Sequence, residues 1–241
     1  MNDDDKLNDR IVYTMWSVFR NRPEGWTAGP AEAAEQSEGM LRDAADSGVE
    51  LRGLYRISGL RADADWMVWW HSPDITALQD AYAGLLGTAW GAASHPVWSA
   101  VGLHRPAEFN RAHIPAYLHG REPGRFLAVY PFVRSFEWYL LPEDERRRML
   151  ADHGAAARDY PDVLSNTVAA FGLGDYEWIL ALEAAQLHRL VDLMRGFRAT
   201  EARRHVREEL PFFTGERMPL RALLARLPGA PAEASARPTE L

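Results

Sequence analysis

Hydrophobic and polar residues along the first half of the chain follow the spacings of strands and helices in an ordered way. Runs of alternating or continuous β-forming residues predict strands, and Ala- and Glu-rich stretches that begin near a Pro predict helices. In chain order, these elements are a strand at 11–20, a helix at 30–47, strands at 49–58 and 65–71, a helix at 72–86 and a strand at 97–103. The order β-α-β-β-α-β is that of a ferredoxin-like unit.

The second half of the chain repeats this order. In sequence, it predicts a long strand at 125–139, a helix opened by Pro142, strands at 163–171 and 176–183, a helix at 184–197 and a last strand at 206–214. Gly59-Leu60 and Gly172-Leu173 stand at equivalent places in the two halves, each before an acidic turn and an apolar strand. Such an echo indicates a duplicated unit.

The predicted fold is therefore α+β, with two fused ferredoxin-like domains. Their predicted bounds are 10–104 and 125–215, and a linker at 105–124 joins them. Residues 1–9 are polar and are predicted to be loosely ordered. The tail at 228–241 is rich in Pro, Ala and Glu and is predicted to be disordered.

Composition and charge exclude several classes of function. The chain has 241 residues, a formal net charge of −7 and no cysteine. A disulfide scaffold, a thiolate metal site and a cysteine nucleophile are excluded, and the acidic balance argues against nucleic acid as a partner. The acidic start MNDDDKLNDR has no signal-peptide pattern, and no apolar run approaches the roughly 20 residues that span a bilayer. We therefore expect a cytoplasmic protein with no membrane partner.

The predicted strand at 125–139 carries an unusual set of side chains. Because side chains alternate along a strand, one face is predicted to contain Tyr130, Phe132, Arg134, Phe136 and Trp138. Arginine binds carboxylates in a bidentate manner, and tyrosine can donate a hydrogen bond or be oxidised. Such a face suits a flat aromatic ligand that carries carboxylates. The alternative is a core strand whose Tyr and Arg extend outwards at its ends.

Histidines provide the remaining candidate chemistry. His153 shares the apolar stripe of the predicted helix with Met149, Leu150 and Ala157. A lone histidine there is either a hydrogen-bonded core residue or a metal ligand, and one axial nitrogen is all that a heme iron needs from one side. Spacing alone does not single out His113 or His119 in the segment RAHIPAYLHG.

The segment YPFVRSFEWYLLPEDERRRMLADHG at 130–154, with the preceding HIPAYL, closely resembles the actinobacterial coproheme decarboxylases of the chlorite dismutase-like family. The repeated βαββαβ order fits the paired ferredoxin-like domains of that family, which are of the dimeric α/β-barrel type. The resemblance implies that the half at 125–215 binds coproheme and that the linker carries the distal segment.

The resemblance also implies roles for individual residues. His153 would be the proximal iron ligand, and Tyr130 the redox-active tyrosine beside a propionate. Arg134 would bind a propionate, Trp138 would line the pocket, and His113 would be the distal catalytic residue. Chlorite dismutases proper carry a distal arginine, so His113 and Tyr130 together favour heme synthesis over chlorite decomposition. Further propionate contacts are open, with Arg203, Arg204 and Arg207 as candidates.

The implied reaction is the hydrogen-peroxide-dependent oxidative decarboxylation of two propionates of Fe-coproporphyrin III (coproheme) to vinyl groups, which gives heme b. Coproheme is then both the substrate and the redox centre. A ferrochelatase that supplies coproheme is the implied partner, and the implied assembly is a homopentamer. Two alternatives remain, namely a chlorite dismutase-like heme peroxidase and a heme-binding carrier.

Overall fold

A computed structural model describes residues 3–231. In chain order, its main elements are α1 (Asp3–Asp9), β1 (Tyr13–Asn21), α2 (Pro30–Asp46), β2 (Glu50–Arg56), β3 (Trp66–Ser72), α3 (Ile75–Leu86), α4 (Ala89–Ala92), β4 (Ser94–Leu103), β5 (Phe126–Arg134), α5 (Glu143–Ala156), β6 (Leu164–Ala169), β7 (Trp178–Ala184), α6 (Leu187–Arg198), β8 (Val206–Glu208), β9 (Phe213–Met218) and α7 (Leu220–Leu224). Short 3₁₀ helices cover Pro23–Gly25, Trp138–Leu140 and Glu201–His205.

These elements divide between two units. The N-terminal unit comprises Trp16–Ser99 and the residues from Met218 onward, and the C-terminal unit comprises the residues up to Met15 together with Ala100–Arg217. Each unit is built from a βαββαβ series, so the prediction of an α+β fold with two ferredoxin-like units is confirmed. None of the helices within residues 3–231 is long and apolar enough to cross a membrane.

In the N-terminal unit, the strands lie in the order β4-β1-β3-β2. Every residue of β3 is buried, which explains its continuous apolar sequence. The Trp66 ring lies 4.2 Å from that of Phe19 and 3.9 Å from that of Trp90. Stacked aromatic rings therefore form the centre of this unit's core.

The C-terminal unit has the same strand arrangement. Strand β7 lies between β5 and β6 and is antiparallel to both, so that Leu180 pairs with Tyr130 on one side and with Thr167 on the other. Strands β8 and β9 pair with the far edge of β5. Helix α6 packs on the sheet through Leu190 and Leu193, which join a buried cluster with Tyr130.

Three predictions about these elements are wrong. Residues 3–9 of the predicted loose segment 1–9 are ordered, because Asp3–Asp9 form helix α1 with three carboxylates in the first turn, where they complement the helix dipole. The last strand is two strands, β8 and β9, separated by a segment that contains Pro211, which has no N–H to donate to a ladder. Of the predicted disordered tail, residues 232–241 lie outside the described residues.

The third error concerns the long strand at 125–139, because β5 ends at Arg134. There the chain turns. The Ser135 N–H donates to the carbonyl of His205, and the Trp138 N–H donates to the carbonyl of Ser135. The predicted alternation of faces therefore stops at Arg134, and Phe136 is 75% exposed rather than part of the same wall.

Candidate functional site

Arg134 lies at the end of β5 with its guanidinium on aromatic faces. The guanidinium carbon is 3.9 Å from the centre of the Trp138 ring and 4.5 Å from that of Phe132. Burial lowers the pKa of Arg134 to about 10, so the side chain keeps its charge at neutral pH. In the described part of the chain, no carboxylate forms an ion pair with this guanidinium. A half-buried, unpaired cation of this kind is suited to the carboxylate of a ligand.

Glu177 supports this end of β5 and its charge raises the pKa of Arg134, but its carboxylate forms no direct ion pair with the guanidinium. Its Oε2 accepts hydrogen bonds from the Arg134 backbone N–H and from the Tyr139 hydroxyl, both at 2.9 Å. The sequence analysis did not identify Glu177. Its place before β7, 43 residues from Arg134, gives no local signal of the contact.

His153 lies on α5 with one nitrogen engaged. Its Nδ1 is 3.4 Å from the Thr200 hydroxyl, and its ring stacks on Phe197 with centroids 4.1 Å apart. Burial, and then the positive charge of Arg134, lowers the pKa of His153 to about 4. The imidazole is therefore neutral at pH 7, and among the described residues its Nε2 has no hydrogen-bond partner. Histidine binds a metal through one nitrogen of a neutral ring, while the other ring nitrogen forms a hydrogen bond that fixes the orientation of the ring.

Trp138 connects Arg134 to the helix that carries His153. It is 3% exposed and packs with Met149 of α5 and Ala202. Met149 lies one helical turn before His153, so this cluster fixes the position of α5 relative to the end of β5. Trp138 therefore contributes an aromatic surface beneath the guanidinium and a buried anchor.

Tyr130 occupies the neighbouring buried cluster. It is 2% exposed, its hydroxyl lies 3.4 Å from Sδ of Met194, and its ring stacks on Phe212 at 4.4 Å. Burial, reinforced by the carboxylate of Glu209, raises the pKa of Tyr130 well above its ordinary value. The side chain is therefore a neutral phenol, which loses a proton when it is oxidised.

A cavity of about 400 Å³ adjoins this cluster. Its lining is largely charged and includes Arg198, Arg203, Arg207, Glu208, Glu209 and the Phe212 that stacks on Tyr130. Glu209 forms ion pairs with Arg198 at 2.7 Å and with Arg203 at 2.5 Å. Three arginines against two glutamates leave the cavity with a net charge of +1, which favours an anionic ligand.

The sequence analysis named Arg203, Arg204 and Arg207 as open candidates for anion binding. Arg203 and Arg207 line the cavity with Arg198, whereas Arg204 is not part of its lining. Glu209 and Arg198 were missed. The chain changes direction between the end of α6 and β9 and brings them together, and a contact made in this way, between residues 11 apart, leaves no local signal in the sequence.

His113 lies in the segment between β4 and β5. It is exposed at the surface, yet the surrounding protein removes enough water to lower its pKa. Its charge acts on both His104 and His153 and lowers the pKa of each. His113 is thus within electrostatic range of the site, while His119 influences His104 but not His153.

The site residues predicted from the sequence thus form two adjoining groups in the C-terminal unit. Arg134 and Trp138 are in direct contact, with His153 and His113 within electrostatic range. Tyr130 and the cavity form the second group, and Phe197 touches both, since it stacks on His153 and packs against the Tyr130 cluster. No group of three or more acidic or histidine side chains that could hold a metal ion exists among the described residues. A metal bound by His153 would therefore need further donor atoms from the ligand that contains it. The unpaired cation, neutral imidazole and neutral phenol together fit a flat, anionic, metal-containing ligand.

Comparisons with known proteins found relatives in both sequence and structure. The family model described as chlorite dismutase matches residues 30–218. A coproheme decarboxylase from Mycolicibacterium smegmatis is 58% identical over 94% of this chain and 98% of its own length. A coproheme decarboxylase from Thermus thermophilus is 26% identical over 84% of this chain and 88% of its own length. A chlorite dismutase structure from Candidatus Nitrospira defluvii, in complex with imidazole, matches with a TM-score of 0.80 at 20% identity, over 94% of this chain and 99% of its own. At that identity, the likeness concerns the fold alone.

Proposed function

The chain belongs to the chlorite dismutase family, and we propose that it acts within that family as a coproheme decarboxylase. It converts two propionates of Fe-coproporphyrin III to vinyl groups and so yields heme b. For each propionate, one hydrogen peroxide is reduced to two waters while the side chain is oxidised to a vinyl group and carbon dioxide. The relationship at 58% identity supports the reaction. The observation that carries the site assignment is the unpaired Arg134 guanidinium beside the neutral His153.

Two residues are proposed to hold the substrate. Nε2 of His153 binds the iron, and the Thr200 contact and the Phe197 stack fix the orientation of the ring. Arg134 pairs with a propionate carboxylate. Because no carboxylate within residues 3–231 forms an ion pair with it, binding the propionate breaks no existing ion pair of Arg134 there.

The remaining propionates are proposed to lie towards the arginine-lined cavity. Arg198 and Arg203 share one carboxylate, that of Glu209, so positive charge is left over for a ligand. Phe212 separates this cavity from Tyr130 by a single ring stacking distance. A propionate held there would lie one aromatic ring away from the phenol.

Tyr130 is proposed to carry the oxidation to the propionate. The bound iron porphyrin, together with hydrogen peroxide, supplies the oxidising equivalents. Tyr130 gives up an electron and its proton, then takes a hydrogen atom from the propionate carbon next to the ring and becomes a phenol again. Loss of one more electron and of carbon dioxide leaves the vinyl group. His113 exchanges the proton that peroxide cleavage requires, a role that suits imidazole.

Assembly and location are proposed from the same resemblance. We propose a cytoplasmic homopentamer that receives coproheme from a ferrochelatase. The absence of a membrane-spanning helix among residues 3–231 is compatible with this proposal.

The test is to mix the purified protein with ferric coproheme, titrate with hydrogen peroxide and follow the porphyrin by mass spectrometry. The expected result is two successive losses of carbon dioxide and two hydrogens, ending at heme b. Parallel reactions with chlorite and with heme b distinguish the alternatives. Rapid chlorite breakdown with intact propionates contradicts the proposal and favours a dismutase, and inert binding favours a carrier.

A further inference from the structure

Helix α1 is tied to the segment that carries His113 through one buried side chain. Asn8 is 4% exposed. Its Nδ2 donates to the carbonyl oxygen of Arg111, and its Oδ1 faces Nε2 of His104, both at 2.9 Å. One amide therefore bridges three parts of the C-terminal unit, which are α1, the end of β4 and the segment before β5.

The chemistry of the bridge fixes which atom donates. Because Nδ2 of Asn8 donates to a carbonyl, Oδ1 must be the atom that faces His104, and the His104 Nε2–H donates to it. Burial lowers the pKa of His104 to about 4, so the ring is neutral and holds its proton on Nε2. Nδ1 of His104 is buried without a hydrogen-bond partner among the described residues. Asn8 is thus the polar contact that holds this ring.

The segment that contains His113 is held on both sides. Before it, the Arg111 carbonyl is bound to Asn8. After it, the backbone N–H of Tyr117 donates to Oδ1 of Asn166 at 2.9 Å, a buried contact with strand β6. Between these two anchors, His113 makes only a local backbone bond, to the carbonyl of Asn110. Loss of the first anchor would leave the stretch before His113 held by the surface ion pair of Glu108 with Arg146 and by the Arg147 contact with Phe109, both further from His113 than Arg111 is.

We propose that Asn8 is a positioning residue that holds His113 in place for proton exchange with peroxide, so that helix α1 is part of the catalytic apparatus. This inference rests on the proposed function, in which His113 is the distal residue. Asn8 itself does not touch the substrate.

The first test measures the anchor without substrate. Hydrogen exchange of peptides covering residues 105–116 is compared between the wild type and Asn8→Ala. The backbone N–H groups of His113 and Ile114 donate to the carbonyls of Asn110 and Ala112. In Asn8→Ala, local opening of this segment no longer has to break the hydrogen bond between Asn8 and Arg111, so the exchange rate of these two amides is expected to rise at least about tenfold. Asp9→Ala is the matched control, because Asp9 is exposed on the same helix, and it should leave exchange unchanged.

The second test asks whether the anchor acts through His113. A general base contributes about 10²–10⁴ in rate, and a displacement of about 1 Å can cost about 10². Asn8→Ala is therefore expected to slow the reaction of the coproheme complex with peroxide at least about tenfold, while the Kd for coproheme changes less than about threefold. In a double-mutant cycle, Asn8→Ala should add no further loss to His113→Ala.

Asn8→Ser keeps one hydroxyl but is too short to bridge Arg111 and His104, and it serves as the milder variant should Asn8→Ala not fold. Unchanged exchange in a folded Asn8 variant, or losses that add fully with His113→Ala, would overturn the inference. The hydrogen-exchange experiment contains no coproheme, so its result does not depend on the proposed function. A wild-type protein that binds coproheme and leaves its propionates intact would instead overturn the proposed function.

Discussion

Replacement of Arg134 by Met tests the anion site most sharply. Methionine replaces the aliphatic part of the side chain but is shorter, so it loses both the charge and the guanidinium contacts with Trp138 and Phe132, whose ring centres lie 3.9 and 4.5 Å from the guanidinium carbon. A hydrogen bond to a charged group contributes roughly 1.5–3 kcal/mol, and each 1.4 kcal/mol corresponds to about tenfold in affinity. Coproheme binding is therefore expected to weaken by about 10- to 150-fold.

The same substitution should barely affect the fold. It removes two cation–π contacts, each worth about 0.5–1 kcal/mol. It also removes a charge whose burial already lowers the pKa of Arg134 to about 10, and relief of that desolvation offsets the loss. The free energy of unfolding should change by about 1 kcal/mol or less.

Binding is measured by titrating coproheme and following the quenching of tryptophan fluorescence, with urea unfolding as the stability measurement. Arg125→Met is the matched control, since Arg125 precedes the other end of β5, about 30 Å along the strand, and pairs with Glu216. Arg134→Lys should lie between the wild type and Arg134→Met because it keeps the charge but not the planar fork. Equal affinity of Arg134→Met and Arg125→Met would refute the reasoning.

Three further predictions follow from the site. His153→Ala should change the absorption spectrum of the ferric coproheme complex, because the histidine nitrogen no longer binds the iron, and added imidazole should restore the wild-type spectrum. An unchanged spectrum would contradict the assignment of His153 as the iron ligand. Glu209→Gln raises the net charge of the cavity from +1 to +2 by releasing Arg198 and Arg203, so coproheme should bind several-fold more tightly at low salt and less so at high salt. The free energy of unfolding should fall from pH 6.5 to pH 4 by up to about 1.4 kcal/mol per pH unit through His104, because the unfolded chain binds a proton there that the folded ring, with a pKa of about 4, does not. His153 has the same lowered pKa, so His104→Gln should reduce the slope in urea titrations at several pH values without abolishing it.

The order of elements was predictable because local patterns determine it. The first five residues of β3, 66–70, are all apolar because the strand is buried on both faces, and the sequence shows this directly. The echo between the halves also has a physical basis. Gly59 and Gly172 both have a positive φ, 87° and 73°, which favours glycine at both turns.

The end of β5 was not predictable in the same way. Alternation continues in the sequence through Trp138, but the chain leaves the strand at Ser135 because its N–H bonds to the carbonyl of His205. Helix α1 was not predictable for the same reason, since Asn8 on this helix donates a hydrogen bond to the carbonyl of Arg111, 103 residues away. Contacts between residues so far apart in the chain leave no periodic signal.

The candidate site was predictable in its residues but not in its surroundings. The resemblance of 130–154 identified Tyr130, Arg134, Trp138 and His153, whereas spacing alone left a core strand and a core histidine open. That no carboxylate among the described residues forms an ion pair with Arg134, and that two arginines of the cavity share Glu209, are properties of the folded chain. Neither follows from the sequence alone.

The central claim is that Tyr130 transfers the oxidation to a propionate, and Tyr130→Phe tests it most directly. The change removes one hydroxyl whose contact is with the sulfur of Met194 at 3.4 Å, so folding and coproheme binding should remain close to wild type. Both proteins are loaded with coproheme and treated with hydrogen peroxide, and the porphyrins are analysed by mass spectrometry. We predict two decarboxylations in the wild type and none in Tyr130→Phe. Heme b formed at the wild-type rate by Tyr130→Phe would contradict the account.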